Sequence, residues 1–469
     1  MRPMRPIFAP LALALLLAGC ALGPNYKIPD AHPPDTFRGS NGSATNSLGD
    51  LPWWQLFQDP DLQALIQTAL TNNYDLRVAA ARVEESRAML AQSRSEFYPQ
   101  VTYGGTAGGE RNALGGSPFD VGAPAAKFND LAGSVTWEID LWGRVRRLSE
   151  SARANFFATG EARTNVMISL ISTVAQSYFQ LLALDEELAI AEDTTNSFGQ
   201  SLTIFKDRLR GGVSSKLETS AAAAALASAA ATIPELRRQI VMQENQIRVA
   251  LGFNPGAVVR RPKAIHAESL PEIPPGLPSA LLERRPDIRQ ADQLMRAANA
   301  QIGVAQADFF PQISLTGLLG EAGLTLTPFA SGAEGAWYAA GSLAGPIFKG
   351  GLLKAQERQA RAAWDESRFQ YQSAVLNAFQ EVSDALVSRQ ELASERIEQE
   401  RAVAAYQDAV QVANQRYLGG QANYYELLQE QQLLFPAQNA LTQTLLNQLL
   451  ATVQLYKALG GGWNITARP

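Results

Sequence analysis

The chain has 469 residues, 46% of them hydrophobic and 18% charged, with a net charge of −5. That is enough apolar material for a large core, or for one chain's share of an assembly. The mild acidity gives no sign of nucleic-acid binding, which calls for a basic surface.

The N-terminus reads as a targeting segment. Arg2 and Arg5 precede an apolar run from Ile7 to Ala18, which closes on Leu17-Ala18-Gly19-Cys20. Small residues before a cysteine after a short apolar run match a bacterial lipoprotein signal. Residues 1–19 are therefore expected to be removed, leaving Cys20 as the first residue and the lipidation site. The chain has no other cysteine, so it can form no internal disulfide. Several acyl chains on Cys20 would hold the protein to outer-membrane lipid. By resemblance to bacterial lipoproteins, Ala21 in place of an aspartate favours the outer membrane. No later segment has about 18 consecutive apolar residues, so no transmembrane helix is expected. Any spanning part would have to be strands closed into a barrel.

Residues 20–60, rich in Pro, Gly, Ser, Asn and Asp, read as an acylated tether. An aromatic cluster from Leu51 to Phe57 is expected to dock it on the body. Residues 61–251 read as a first repeat. Asp59-Pro60-Asp61 starts a helix, carried to about Phe97 with an apolar stripe at Leu62, Leu65, Ile66, Ala69 and Leu70. Two strands, 101–109 and 131–141, flank a Gly/Pro-rich loop; the second alternates Leu131, Gly133, Val135, Trp137 and Ile139. A proline-free helical pattern then runs from about Arg144 to Arg210, a reach of roughly 100 Å. Gly211-Gly212 turns it into a shorter return helix ending near Leu251, which Pro234 should kink.

Residues 252–278 are a proline-rich equatorial linker, and residues 279–460 repeat the pattern. Phe309-Phe310-Pro311-Gln312 answers Phe97-Tyr98-Pro99-Gln100. Strands are expected at 313–320 and 337–348, a long helix from Leu352 to Leu418, and a return helix holding Pro436. Residues 461–469 are a tail. Motifs recurring at offsets of about 208 to 212 argue for tandem duplication.

The two reversals share one spacing. Arg208, Gly211, Gly212 and Glu218 in the first correspond to Arg416, Gly419, Gly420 and Glu426 in the second. As single copies both fit ordinary helix C-caps; the matched spacing marks them as the tips of two helical hairpins. Four strands cannot close a barrel, whereas three chains would supply twelve. The expected fold is mainly α with a membrane β-barrel: a homotrimer with a 12-stranded barrel and a periplasmic α-helical barrel of long coiled-coil helices. A soluble antiparallel coiled coil with small hairpins is the alternative.

The sequence resembles the outer membrane factors, the TolC-like and OprM-like efflux channels, in their lipoprotein branch. The resemblance covers nearly all of the mature chain. It rests on Leu17–Cys20, Trp53-Trp54, Asp59–Leu62, Phe97–Gln100, Trp137–Gly143, Glu283–Ile288, Phe309–Gln312, Gly345–Phe348 and Tyr456–Trp463, in that order. It implies a passive duct in the outer membrane of a Gram-negative bacterium, fed through a periplasmic adaptor protein by an inner-membrane pump of RND type. It also implies that the tips bind the adaptor, through Arg208, Gly211, Gly212, Val213, Arg416, Gly419, Gly420 and Gln421, and form an iris-like gate. Gate candidates are Asp207, Asp408, Tyr417, Glu426 and Glu430, with Glu218 a further member of an acidic ring that would attract cations. Related channels often carry an aspartate where this chain has Gln429. The aromatic second tip, with Tyr417, Tyr424 and Tyr425, is expected to form the inner ring.

An enzyme reading fails on inventory. His32 and His266 lie in the tether and the linker, without metal-ligand spacing, and no HExxH occurs. Gly104-Gly105 and Gly108-Gly109 follow a strand without the Lys-Ser/Thr of a phosphate loop. No cofactor or metal is expected. A coiled-coil lipoprotein tether and an envelope hydrolase remain as rival functions.

Overall fold

The computed structural model describes residues 21–40, 47–110, 126–261, 265, 276, 278–323 and 335–461. The expected signal peptide, Cys20, His266, most of the linker and the tail beyond Gly461 lie outside these residues. The described chain forms two compact units. One gathers residues 21–30, 82–160 and 290–371; the other gathers residues 31–81, 161–289 and 372–461.

The elements, in chain order, are α1 (Pro60–Asn72), α2 (Tyr74–Ser95), β1 (Gln100–Glu110), β2 (Ala126–Ile139), α3 (Arg144–Arg210) and α4 (Lys216–Ala250). The second half repeats them as α5 (Pro286–Ala307), β3 (Gln312–Gly323), β4 (Gly335–Ala344), α6 (Leu352–Leu418) and α7 (Tyr424–Ala458). One-turn helices at Trp53–Leu56 and Leu281–Arg284 precede α1 and α5.

The first unit is built on an antiparallel sheet in the order β1-β2-β3-β4. Its register sorts most polar and most large apolar residues onto opposite faces, with Glu321 on the apolar face and Leu318 and Tyr338 on the polar one as exceptions. Opposite residues share a face, and neighbours along a strand alternate. Thr102 faces Ser134, Thr136 faces Thr316, and Ser314 faces both Glu138 and Ser342. Two of these pairs are hydrogen-bonded through their hydroxyls, Thr102 to Ser134 at 2.7 Å and Ser314 to Ser342 at 2.6 Å. The other face carries Val101, Tyr103, Leu131, Val135, Trp137, Leu315, Leu319, Trp337 and Leu343. All are exposed, Tyr103 at 89% and Trp337 at 79%. An apolar face this large is out of place in water and fits strands with one face to lipid and one to a polar lumen. β2 starts at Ala126, ahead of the expected Leu131, because its ladder with β1 runs on to the Glu110–Ala126 pair.

Where the sequence pattern suggests one helix from Asp59 to Phe97, the chain breaks at Asn73, which is extended at ψ 131°. Its side chain accepts from the Leu76 amide (3.0 Å), capping α2, and donates to the Ala250 carbonyl (2.9 Å) at the end of α4. The second repeat breaks at Arg285, also extended, because the residue before a proline avoids the helical region. Arg285 then enters the core of the second unit. It binds Asp287 (3.0 and 2.6 Å), Glu381 (2.7 Å) and the carbonyl of Ala458 (2.9 Å). α4 and α7 run on through Pro234 and Pro436.

The aromatic cluster before α1 docks as expected: Trp53, Leu56 and Phe57 are buried, and Phe57 packs against Phe179 of α3 and Tyr456 of α7. Tyr178 donates to Asp59 (2.9 Å), the residue that caps α1. One window of α3 reaches a mean hydropathy of 1.4, enough by composition to cross a membrane, but 72% of it is buried against the rest of the chain. It is a core helix of the fold.

Candidate functional site: the paired hairpin tips

Both reversals close by the same hydrogen bonds. In the first, Val213 donates to the Arg208 carbonyl (2.9 Å) and Gly212 to Leu209 (3.0 Å); in the second, Gln421 donates to Arg416 (2.8 Å) and Gly420 to Tyr417 (3.1 Å). This is the Schellman arrangement. It puts the positive φ on the second glycine of each pair, 72° at Gly212 and 71° at Gly420. Gly211 and Gly419 continue the helices, each donating to the carbonyl four residues back, Asp207 and Gln415.

The return helices start differently. Ser215 caps α4 in a capping box. Its hydroxyl accepts from the Glu218 amide (3.2 Å), and Glu218 accepts from the Ser215 amide (2.7 Å). Glu218 also accepts from the Ser214 hydroxyl at 2.5 Å. That bond, then the Ser215 amide, holds its carboxyl below the usual carboxylate range. A depressed acid stabilises above its unfolded pKa, and the contribution is lost as pH falls through the folded value. α7 is capped by Asn423, which accepts from the Glu426 amide (3.2 Å).

The two arginines, alike in sequence, do different things. Arg416 reaches Glu426 across its own turn at 3.4 Å, half-exposed, a pair of little energetic weight. Arg208 leaves its own hairpin. It donates to the hydroxyl of Tyr417, and its guanidinium lies 5.0 Å from that ring's centroid.

This contact crowns a core shared by the two hairpins. Phe205, Tyr417 and Tyr424 pack as an aromatic triad, with Phe205–Tyr424 centroids 3.8 Å apart and the other two pairs at 5.9 and 6.1 Å. Phe198, Leu202, Ala222, Ala225, Leu427 and Leu428 surround it. The alanines of α4 let the helices approach closely. Gln431 adds a hydrogen bond to Ser197 (3.1 Å). Burial raises the Tyr424 hydroxyl above its ordinary pKa.

This places the three tyrosines from which an inner aromatic ring is expected at the second tip. Tyr417 and Tyr424 are buried in the seam between hairpins, and Tyr425 alone of the three is exposed. Of the acidic candidates, Asp207 pairs with Arg210 one turn on and Glu426 with Arg416. Asp408 is exposed and Glu430 partly exposed. Val213, Leu217, Leu418 and Tyr425 leave an apolar fringe at the tips. The sequence reading missed Phe205. Its signal was its place one turn before Arg208, on the side facing the other repeat. Among the described residues, no group of three His, Cys, Asp or Glu side chains gathers as a metal site would require.

Comparison with known proteins places this architecture in a class. The sequence matches the family model described as outer membrane efflux protein over residues 65–253 and 277–461. It is 35% identical over 455 residues to the probable efflux pump outer membrane protein TtgC of Pseudomonas putida, covering 96% of this chain and 94% of that protein. It is 33% identical over 459 residues to the cation efflux system protein CusC of Escherichia coli, covering 97% and 98%. Among solved structures, CusC superposes with a TM-score of 0.85 at 31% identity, covering 94% of this chain and 100% of that one. The open state of the MtrE outer membrane channel of Neisseria gonorrhoeae superposes with a TM-score of 0.86 at 28% identity, covering 95% and 99%. The chain belongs to the outer membrane efflux protein family, and its fold is that of an outer-membrane channel.

Proposed function

We propose that the chain is one subunit of a homotrimeric outer-membrane duct that passively conducts substrates out of the cell. A periplasmic adaptor docks on the hairpin tips, and an inner-membrane pump of RND type drives the cargo. Acyl chains on Cys20 add a second hold on the membrane. The observation that carries this reading is the sheet: four strands, mostly polar or small on one face and mostly apolar on the other, with β1 and β4 each paired on one side. Lipid does not tolerate an open edge, so other copies must close it. The duct needs no catalytic group. Conductance of the purified protein across a planar bilayer tests the function. Absence of a pore, even from variants with loosened tips, would count against it.

The internal repeat sets the register of closure. Gln100 pairs with Thr136 and Gln312 with Ala344. β3 therefore repeats β1 with a shift of 212, and β4 repeats β2 with a shift of 208. Carrying the Ile139–Ile313 rung over by these shifts places Ile347 of one chain opposite Val101 of the next. Both are fully or largely exposed here. The Val101→Cys, Ile347→Cys double variant should oxidise to a covalent trimer on denaturing gels, whereas Tyr103→Cys with Ile347→Cys should not. Equal yields from the two would refute this register.

At the tips, we assign Arg208 and Tyr417 to a latch between the hairpins, and Gly212 and Gly420 with the apolar fringe to adaptor docking. Glu218, Glu426 and Glu430 are the acidic residues offered to passing ions. Replacing Glu426 and Glu430 with glutamine should lower cation preference in bilayer recordings; an unchanged reversal potential would dismiss the acidic ring.

A further inference from the structure

We infer that residues 21–26 are a docking peptide seated in a built groove of the same unit, and that this groove fixes where the lipid anchor enters the bilayer. The second half rests on the reading of Cys20 as the acylated residue. Arg147, in the first turn of α3, is 4% exposed. Its Nε donates to the Leu22 carbonyl (2.9 Å) and its Nη2 to the Gly23 carbonyl (3.2 Å) and Asn25 Oδ1 (2.9 Å), while Nη1 is held by Glu150 (2.7 Å). A buried guanidinium whose donors read peptide carbonyls is a recognition element.

The opposite wall is one face of α5. Asn299 donates to the Pro24 carbonyl at 2.8 Å, Asp292 accepts from the Tyr26 hydroxyl, and Arg296 lies over the Tyr26 ring at 5.0 Å. Gly303 completes this face. Gly23, at φ +91°, faces Gly303 so closely that a Cβ on it would lie 2.4 Å from the Gly303 Cα. The segment is thus read by charge, by amide and by shape.

A loose tether would let an acyl chain wander over a distance that grows with the square root of its length. Here the first held residue is Leu22, whose amide donates to the Trp142 carbonyl at 3.0 Å. Cys20 stands two residues before it in sequence, so an anchor there joins the chain next to that bond. Trp142 is the corner between β2 and α3. Its indole stacks on Phe310 at 4.8 Å and donates to the Pro311 carbonyl at 2.7 Å, and tryptophan favours the membrane interface. The acyl chains therefore enter at the foot of β2.

Trypsin reads the clasp directly, because Lys27 follows the held segment. In outer-membrane vesicles bearing the full chain, the wild type should keep its Lys27–Ile28 bond. Gly23→Val, which alters only the peptide, and Gly303→Val, which alters only the groove, should lose that bond at least about tenfold faster. Equal rates in all three overturn the clasp, and Asn25→Ala supplies a milder variant should a valine disturb folding. The entry point is read by growing cells on a photoactivatable fatty acid. In the wild type, adducts should fall on peptides containing Trp142 or Phe310, and in Gly23→Val they should scatter. Scatter in both overturns the fixed entry point. Fatty-acid label persisting in Cys20→Ser would instead sink the lipidation reading, leaving the trypsin result to decide the clasp.

Discussion

Phe205→Ala should loosen the hairpin tips by about 3–5 kcal/mol, the usual cost of deleting a buried phenylalanine side chain. Phe205 is 2% exposed and touches both Tyr417 and Tyr424 of the second hairpin. Its loss leaves a cavity between helices that the rest of the fold cannot fill. The effect should be local. Hydrogen exchange should speed up at amides of residues 202–213 and 417–428, while the Tyr178–Phe179–Phe57 cluster keeps its protection. Unchanged exchange at the tips would contradict the seam as a stabilising core. Tyr417→Phe is the informative partner variant. It keeps the ring, removes the oxygen that Arg208 binds, and should cost about 1–3 kcal/mol at the same amides.

Arg285→Ala should be of similar size, about 3–5 kcal/mol, but global in its effect. The side chain is 8% exposed and joins Asp287, Glu381 and the Ala458 carbonyl at the end of α7. Truncation leaves two carboxylates and a buried carbonyl without their cation. A shift in the denaturant midpoint of the whole cooperative transition measures it. Arg284→Ala is the control. Its pair with Asp50 (2.7 Å) is partly solvated, so about 1 kcal/mol or less is expected. Equal shifts would mean that burial at Arg285 adds nothing.

Much of the fold was legible from two periodicities. The alternation around Trp137 marks a strand with one apolar face, and the proline-free patterns ending at Arg210 and Leu418 mark the long helices. The helix breaks at Asn73 and Arg285 were harder, since each is a single residue leaving the helical region. Their local signals, an asparagine two residues before an acid and a residue before proline, are weak beside a long helical pattern. At the tips the glycines gave away the turns. The seam could not be read, because Arg208 and Tyr417 stand 209 residues apart and nothing in a single sequence pairs them. The same holds for the peptide at 21–26. Its composition is that of a linker, and the arginine that binds it lies 125 residues downstream of Leu22.

The unequal fates of Arg208 and Arg416 bear on how a duplicated chain came to differ from its ancestor. A single-repeat precursor would assemble as a ring of identical hairpins, and every arginine would meet the same surroundings. No hairpin in such a ring could shift without its equivalents shifting too. In this chain the first arginine reaches across to the second hairpin while the second stays within its own turn. Divergence of the two halves thus created a joint with two distinguishable sides. The first hairpin thus holds the second through a contact that the second does not return, which strict equivalence forbids.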